Sequence, residues 1–356
     1  GGGAGGGGWG RGAGRRWARV VGCGGVLPTR PAQSWLSVVA DGSAGLVAEV
    51  DVVHVVAKSH LDLGFTGLAA EVEQRYLRAF FPKALDVAAA LRERGGPERL
   101  VWTTGSWILH RALMAGDRAA TAVAAGVERG DLDLHALPVT THTELMDADL
   151  VRSGVAISAE LDARFGRTGP AARTVAAKMT DVPGHTRGLV PLLAGAGVTF
   201  LHLGVNPAWP VPDVPSVFRW RAPDDTEVVV AYQAGGYGGT VTVPGCREAL
   251  TFLHSGDNLG PPTVAEVLAA HRDLRARFPE AEVRASTLDA FTRALTASGA
   301  AAGLPVVTAE IGDPWLFGAG SDPVKVAGFR HLLRTRTAVS ERLEADGEAV
   351  PRVLVD

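Results

Sequence analysis

The sequence predicts an α/β fold in which parallel strands alternate with helices, either as a barrel or as a doubly wound sheet. Three observations carry this. From Asp51 onward, short Val/Leu-rich runs ending in polar residues alternate with Ala/Leu/Arg-rich segments of helical period, the rhythm of βα units. The runs are nearly continuously apolar, as strands buried on both faces are. A hydrophobic fraction of 46% with 21% charged residues over 356 positions is enough to bury a sizeable core.

Taken in order, residues 1–44 stand apart. Thirteen glycines fall within the first 25 positions, and no acidic residue precedes Asp41. Such a stretch cannot offset its ordering entropy by burial, so a disordered Gly/Arg-rich tail is expected. Arg15-Arg16 ahead of 20–23 faintly resembles a twin-arginine or lipoprotein export signal, but the apolar run is short and Arg19 interrupts it. A cytoplasmic location is expected, with export left open.

The first expected strand, 51–60 (DVVHVVAKSH), is a valine run closed by Ser59-His60, and a helical segment at 68–94 follows it. Then come a strand at 99–106 and a helix at 110–129, a strand at 132–140 and a helix at 149–164, a strand at 173–180 and a helix at 186–196. Strands at 198–205, 227–233 and 249–255 bring the total to seven. A helix at 263–277 and a further βα-like unit at 282–300, then 305–311, complete the pattern. No long linker or short-period repeat divides this region, so 45–340 reads as one catalytic domain. The chain starts without methionine and stops inside an apolar run at Val353-Leu354-Val355-Asp356, so 341–356 reads as the start of a truncated C-terminal segment with further domains of the same protein beyond it.

Composition excludes several functions. The 35 basic and 38 acidic residues give a net charge of -3, which supplies no global field for nucleic acid. No apolar run approaches the roughly 20 residues needed to cross a bilayer. Neither nucleic acid nor membrane is an expected partner. Cys23 and Cys246 alone make neither a disulfide scaffold nor a cysteine zinc site, so any metal must be held by His and carboxylate.

In parallel α/β proteins the strands' C-terminal ends carry the chemistry, because the connecting loops converge there. The expected strand ends place His60 and Asp62, Thr141 to Glu144, Asp181 with His185, Asn206, Tyr237 and Asp257 along one rim. His60 and Asp62, two apart in extended backbone, share a face on which an imidazole nitrogen and a carboxylate oxygen can converge on one cation. The Pro183-Gly184 turn can aim Asp181 inward. Read alone, His60 is as readily a structural histidine, Asp181 a helix N-cap, and Asp257 in Gly256-Asp257-Asn258 a turn residue.

Four segments together resemble the family-38 glycoside hydrolases, the α-mannosidases. His60-Leu61-Asp62-Leu63-Gly64-Phe65 is similar to H-x-D-x-G-W, Asp181-Val182-Pro183-Gly184-His185-Thr186 to D-P-F-G-H-S, and Gly256-Asp257-Asn258 to G-D-D-F. The stretch from Leu304-Pro305 through Glu310 and Ser321 to Arg330 is similar to the region closing the family's barrel. The resemblance spans roughly 50–335 and is strongest to a divergent bacterial branch carrying H-L-D-x-G-F-T, T-H-T-E-L-M-D and D-V-P-G-H-T.

That resemblance implies a seven-stranded (β/α) barrel with one zinc ion and a carbohydrate substrate. His60 and Asp62 would be zinc ligands, Asp181 both ligand and nucleophile, and Asp257 the general acid/base. A retaining glycosidase needs two carboxyl groups about 5–5.5 Å apart, one ionised to attack and one protonated to release the leaving oxygen. Phe65 would pack on the sugar or sit in the core. His142 and Glu144 would support the ligands, touch substrate or form a solvated loop pair, and His185 would hold the Asp181 loop. Asn206, Tyr237 and Asp313 would line the pocket. Two departures stand out. The family's fourth ligand, a histidine beyond the barrel, has no counterpart here, which leaves that position to a water or to His142. Phe65 for tryptophan and Val182-Pro183 for Pro-Phe point to a substrate other than ordinary N-glycan mannose. Beside a retaining α-mannosidase-like hydrolase stand two alternatives, a metal-dependent carbohydrate deacetylase and a carbohydrate-binding or scaffold barrel without turnover. A dehydrogenase is disfavoured because no G-x-G-x-x-G opens a helix after a strand.

Overall fold

The computed structural model describes residues 49–208, 210–312, 315–316 and 322–349. The tail at 1–44, Asp313 and 350–356 lie outside the described residues.

All seven expected runs are strands. In chain order the strands are β1 (Val52–His60), β2 (Trp102–Gly105), β3 (Leu132–His135), β4 (Ala176–Asp181), β5 (Phe200–Val205), β6 (Val217–Arg221), β7 (Glu227–Gln233), β8 (Thr240–Val241), β9 (Glu248–Asp257), β10 (Glu282–Ala285) and β11 (Val306–Val307). They form two sheets, one ordered β3-β2-β1-β9-β8 with β10 also on β1, the other β11-β6-β7-β5-β4. The seven expected strands all run parallel to their expected neighbours within each sheet, and β3 meets β4 through a backbone bond from Ala136 N–H to Ala176 O (2.9 Å).

The seven-stranded closed barrel is corrected by this topology. Closure needs β7 to pair with β9, yet both edges are already occupied. β6 folds back antiparallel on β7 through a turn at 222–226, in which Asp225 takes φ 63°, and β8 folds back antiparallel on β9. With β6 on β7, β8 on β9 and no ladder between β7 and β9 among the described residues, two mixed, mostly parallel sheets stand in place of the ring. The β6–β7 hairpin went unread because Val217–Arg221 alternates as a half-buried strand does, without the Asn-Gly or Asp-Gly pair that signals a tight hairpin.

The helices follow the expected segments with local breaks. Segment 68–94 becomes α1 (Ala69–Arg75), a π turn (Tyr76–Phe80) and α2 (Phe81–Arg94). Segment 110–129 becomes α3 (Ser106–Met114) and α4 (Arg118–Glu128), divided where Gly116 takes φ 66° and Asp117 caps α4 by accepting from Ala120 N–H. Further helices are α5 (Ala148–Arg164), α6 (Leu189–Gly195), α7 (Val264–Arg277), α8 (Leu288–Ser298) and α9 (Pro323–Ala345). Thr263 and Glu266 close a reciprocal capping box on α7, and Thr287 caps α8. Among the described residues, no helix is long and apolar enough to cross a membrane.

Alternation sets the two faces of β1. Val53, Val55 and Ala57 pack outward with Phe81, Leu91, Leu109 and Trp102, whereas Val56 packs with Ala176, Phe200, Ala231, Leu250 and Phe252. Trp102 is fully buried between the Tyr76 ring (6.0 Å, stacked) and the Phe81 ring (5.4 Å, edge-on). Trp102→Ala is therefore expected to cost about 3–5 kcal/mol, read as a lower denaturant midpoint with an unchanged m-value.

Candidate active site and metal centre

The inner face that begins with Val56 continues along β1 as Lys58 and His60, and on β4 and β5 as Lys178, Thr180, His202 and Gly204. At this level β1 and β9 do not keep a simple register. Ser59 lies opposite Ser255, but His60 lies opposite Asp257. One extra residue on β9, a bulge at Gly256, brings Asp257 beside His60. The bulge is held down by Ser59 and Ser255, whose hydroxyls both donate to Gly260 O (2.6 and 2.5 Å).

Asn258, in the left-handed region at φ 51°, braces the loop after β1. Its Oδ1 accepts from Asp62 N–H (3.1 Å), and its Nδ2 donates to Asp62 O (2.9 Å) and Thr66 Oγ1 (2.5 Å). The result is a cluster in which donor atoms of His60, Asp62 and Asp257 all lie within 4.8 Å of one another. His60 is buried, with Nδ1 on Thr180 Oγ1 (2.6 Å) and Nε2 on Asp62 Oδ1 (2.9 Å).

One nitrogen and two carboxylate oxygens suit a divalent cation such as zinc, and a hydrogen bond on the other ring nitrogen is what orients a ligating imidazole. The residues present therefore fit a metal. Asp181 is not in this group of three among the described residues.

Asp181 ends β4 in the left-handed region, at φ 75°, a conformation that non-glycine residues rarely adopt and that concentrates at functional sites. Its Oδ1 accepts from the Tyr237 hydroxyl (2.6 Å) and from Asn206 Nδ2 (3.0 Å), while Asp181 O accepts from Asn206 N–H (2.9 Å). The Tyr237 ring lies 5.0 Å from the His60 ring. Burial first, then the bond to Asp181 and the nearby carboxylates, push the Tyr237 hydroxyl far above its usual range, so it remains a donor.

Asp257 stands at the rim, open on one side. Partial burial raises its carboxyl above the usual range; the charge of His60 opposes this, and the charges of Asp62 and Asp181 add to it.

The remaining expected residues fall elsewhere. Phe65 is 84% exposed in the loop after β1, so it is not a core aromatic. His142 lies with its ring 6.1 Å from Trp315, and Glu144 lies against Gly312. His185 is fully buried, its Nδ1 on Thr143 Oγ1 (2.9 Å) and its N–H donating to Ile311 O (3.0 Å). Those three place the 142–146 segment and the turn after β4 against Ile311, Gly312 and Trp315. Sequence reading missed Asn258 as a brace, and with it Thr180, Lys178, His202 and Gln233. Strand parity was the available signal for two of these, since Lys178 and Thr180 share the face of Ala176.

No family model matches the sequence, and no curated protein does. Among solved structures, the chain resembles an α-mannosidase from Enterococcus faecalis V583 at a TM-score of 0.55 and 17% identity, over 73% of this chain and 31% of that one. It also matches a glycosyl hydrolase family 38 protein from Enterococcus faecalis (TM-score 0.47, 15% identity, 74% of this chain and 29% of that one). A third match is a 4-α-glucanotransferase from Thermococcus litoralis (TM-score 0.45, 10% identity, 83% and 46%). The chain spans about a third of the length of the two Enterococcus proteins. The first of these likenesses shows that this is an α/β architecture of the kind found in that α-mannosidase.

Proposed function

We propose that this chain is a metal-dependent, retaining glycoside hydrolase of α-linked sugars, with Asp181 as nucleophile and Asp257 as general acid/base. The observation that carries the reading is a pair of carboxyl groups brought together beside the His60/Asp62 pair: Asp181, which takes the Tyr237 hydroxyl, and Asp257, on which the charge of Asp181 acts. A hydroxyl has one proton, and Tyr237 gives it to Asp181. Burial and the charges of Asp62 and Asp181 raise the Asp257 carboxyl, which suits it to be the acid, while the two donors on Asp181 Oδ1 suit that group to be the ionised partner.

In the first step a bond forms between an Asp181 oxygen and the anomeric carbon as the glycosidic carbon–oxygen bond breaks, and the Asp257 proton passes to the departing oxygen. In the second, Asp257 takes a proton from water, which displaces Asp181 and restores both groups. Asn206 and Tyr237 hold Asp181 Oδ1, leaving Oδ2 for attack. His60 and Asp62 would hold a divalent cation, which when bound would supply Lewis-acid chemistry beside the sugar.

The test is a screen of aryl α-glycosides with added zinc or manganese, with product stereochemistry followed by NMR. Release with retention of configuration supports the reading, and no release from any α-glycoside overturns it. Because the Asp257 carboxyl is raised, activity is expected to fall as pH rises through its folded value. Asp257→Asn should remove that basic limb, and should slow substrates with poor leaving groups by about 100-fold or more while sparing good ones.

One observation favours a second reading. It is Asp257, not Asp181, that converges with His60 and Asp62. Were Asp257 a metal ligand, Asp181 would serve as base toward a water, as in a carbohydrate deacetylase. Asp257→Asn separates the two, because a ligand variant loses metal and an acid/base variant keeps it. The product separates them as well, acetate in one case and a reducing sugar in the other.

A further inference from the structure

Beneath the carboxylates lies a buried polar relay whose members the proposed reaction does not consume. Lys178 is 1% exposed and His202 fully buried, register partners on β4 and β5. The Lys178 amine donates to His202 Nδ1 (2.8 Å) and to Tyr237 O (2.6 Å), and sits 4.0 Å from the centre of the Phe252 ring. His202 Nε2–H then donates to Gln233 Oε1 (2.6 Å), which also accepts from Gly239 N–H (2.9 Å). These four bonds fit a single tautomer of His202, protonated on Nε2. Neither Lys178 nor its inner-face neighbour Lys58 has an ion-pair partner among the described residues.

A buried lysine without a carboxylate is costly, and burial together with the charge of Lys58 holds its amine well below the usual range, so its retention in this place calls for a task. The geometry supplies one. Residues 234–239 leave β7 and must return to β8, and the relay grips this loop at two points, the carbonyl of Tyr237 and the amide of Gly239. Glycines let the backbone descend to it. A Cβ at Gly204 would lie 2.4 Å from Tyr237 O, and one at Gly238 would lie 2.7 Å from the Phe252 side chain. Gly236 takes φ 138°, which L side chains rarely adopt. The other end of the gripped residue is the hydroxyl on Asp181, with the ring between His60 (5.0 Å) and His254 (5.5 Å).

We infer that Lys178 is a positioning residue that, with His202 and Gln233, pins the 234–239 loop so that the Tyr237 hydroxyl stays on Asp181 and within reach of Asp257. This assignment rests on the proposed function for its kinetic consequence and on the loop alone for its structural one. The relay acts through the backbone of Tyr237, so the side chain placed under the loop has to be long and to carry N–H donors, as Lys178 does.

The test uses the full chain with Lys178→Met, which replaces the amine by an apolar side chain of similar length, and Gly204→Ala, which lifts the loop without touching the lysine. Both are expected to raise hydrogen exchange of amides 236–239 by about tenfold or more while the strand amides keep their protection. With an aryl α-glycoside, both should lower kcat by about 10- to 100-fold with KM within about twofold of the wild type. Adding Lys178→Met to Tyr237→Phe should cost little beyond Tyr237→Phe alone, because the two act as one unit.

Unchanged exchange in both variants overturns the assignment whether or not the wild-type chain cleaves glycosides. A loss expressed only in KM, or full additivity with Tyr237→Phe, overturns it too. Absence of glycosidase activity in the wild type would instead fell the proposed function and leave the exchange result to decide the loop.

Discussion

Asp181→Asn is expected to lower kcat on an aryl α-glycoside by about 10,000-fold or more, with folding and metal content unchanged. The amide keeps the shape of the carboxylate, and its Oδ1 can still accept from Tyr237 and from Asn206 Nδ2, which hold that oxygen in the structure. What it loses is the anionic oxygen that attacks the anomeric carbon. A loss of this size is about 5.5 kcal/mol of transition-state stabilisation, more than any single hydrogen bond in the site supplies. The measurement is kcat beside a thermal melt. Activity within tenfold of the wild type would remove Asp181 from the nucleophile's role, and a collapsed melt would show that the residue is structural. The left-handed backbone at this position (φ 75°) is tolerated better by Asn than by most residues, so the substitution should fold.

The second large effect concerns the cation. The full chain, purified and dialysed, is expected to carry about one divalent ion, and the His60→Ala/Asp62→Ala pair is expected to carry none, by elemental analysis. A ligand that binds only the folded state stabilises it by about 2.7 kcal/mol at a free concentration about 100 times Kd. Chelation should therefore lower the melting temperature of the wild type and leave that of the double variant unmoved. Metal bound equally by both proteins would place the site elsewhere.

Much of this was open to reading from the residues. A strand buried on both faces has to be apolar throughout and a helix packed on it has to be apolar on one side, so the alternation is written locally; β1, β4 and β5 emerge within a few residues of their expected limits. The rim residues His60 and Asp62 could be paired for the same reason, since their spacing and the end of a strand are local facts. Asn206 and Tyr237 could be placed on the rim, but not assigned a partner.

Features that depend on contacts between distant segments could not be read this way. Whether seven strands close into a ring depends on which distant strands pair, and here β7 and β9 pair antiparallel with β6 and β8 rather than with each other. The group that could hold the cation depends on a one-residue bulge in β9, which a period-two pattern does not reveal and which brings Asp257 rather than Gly256 opposite His60. Lys178, read along the chain, is one polar residue in an apolar strand; it acquires a role only when Tyr237, 59 positions later, descends onto it. Hydrophobic periodicity is a property of neighbours in sequence, whereas sheet edges, ligand convergence and buried hydrogen bonds are properties of neighbours in space.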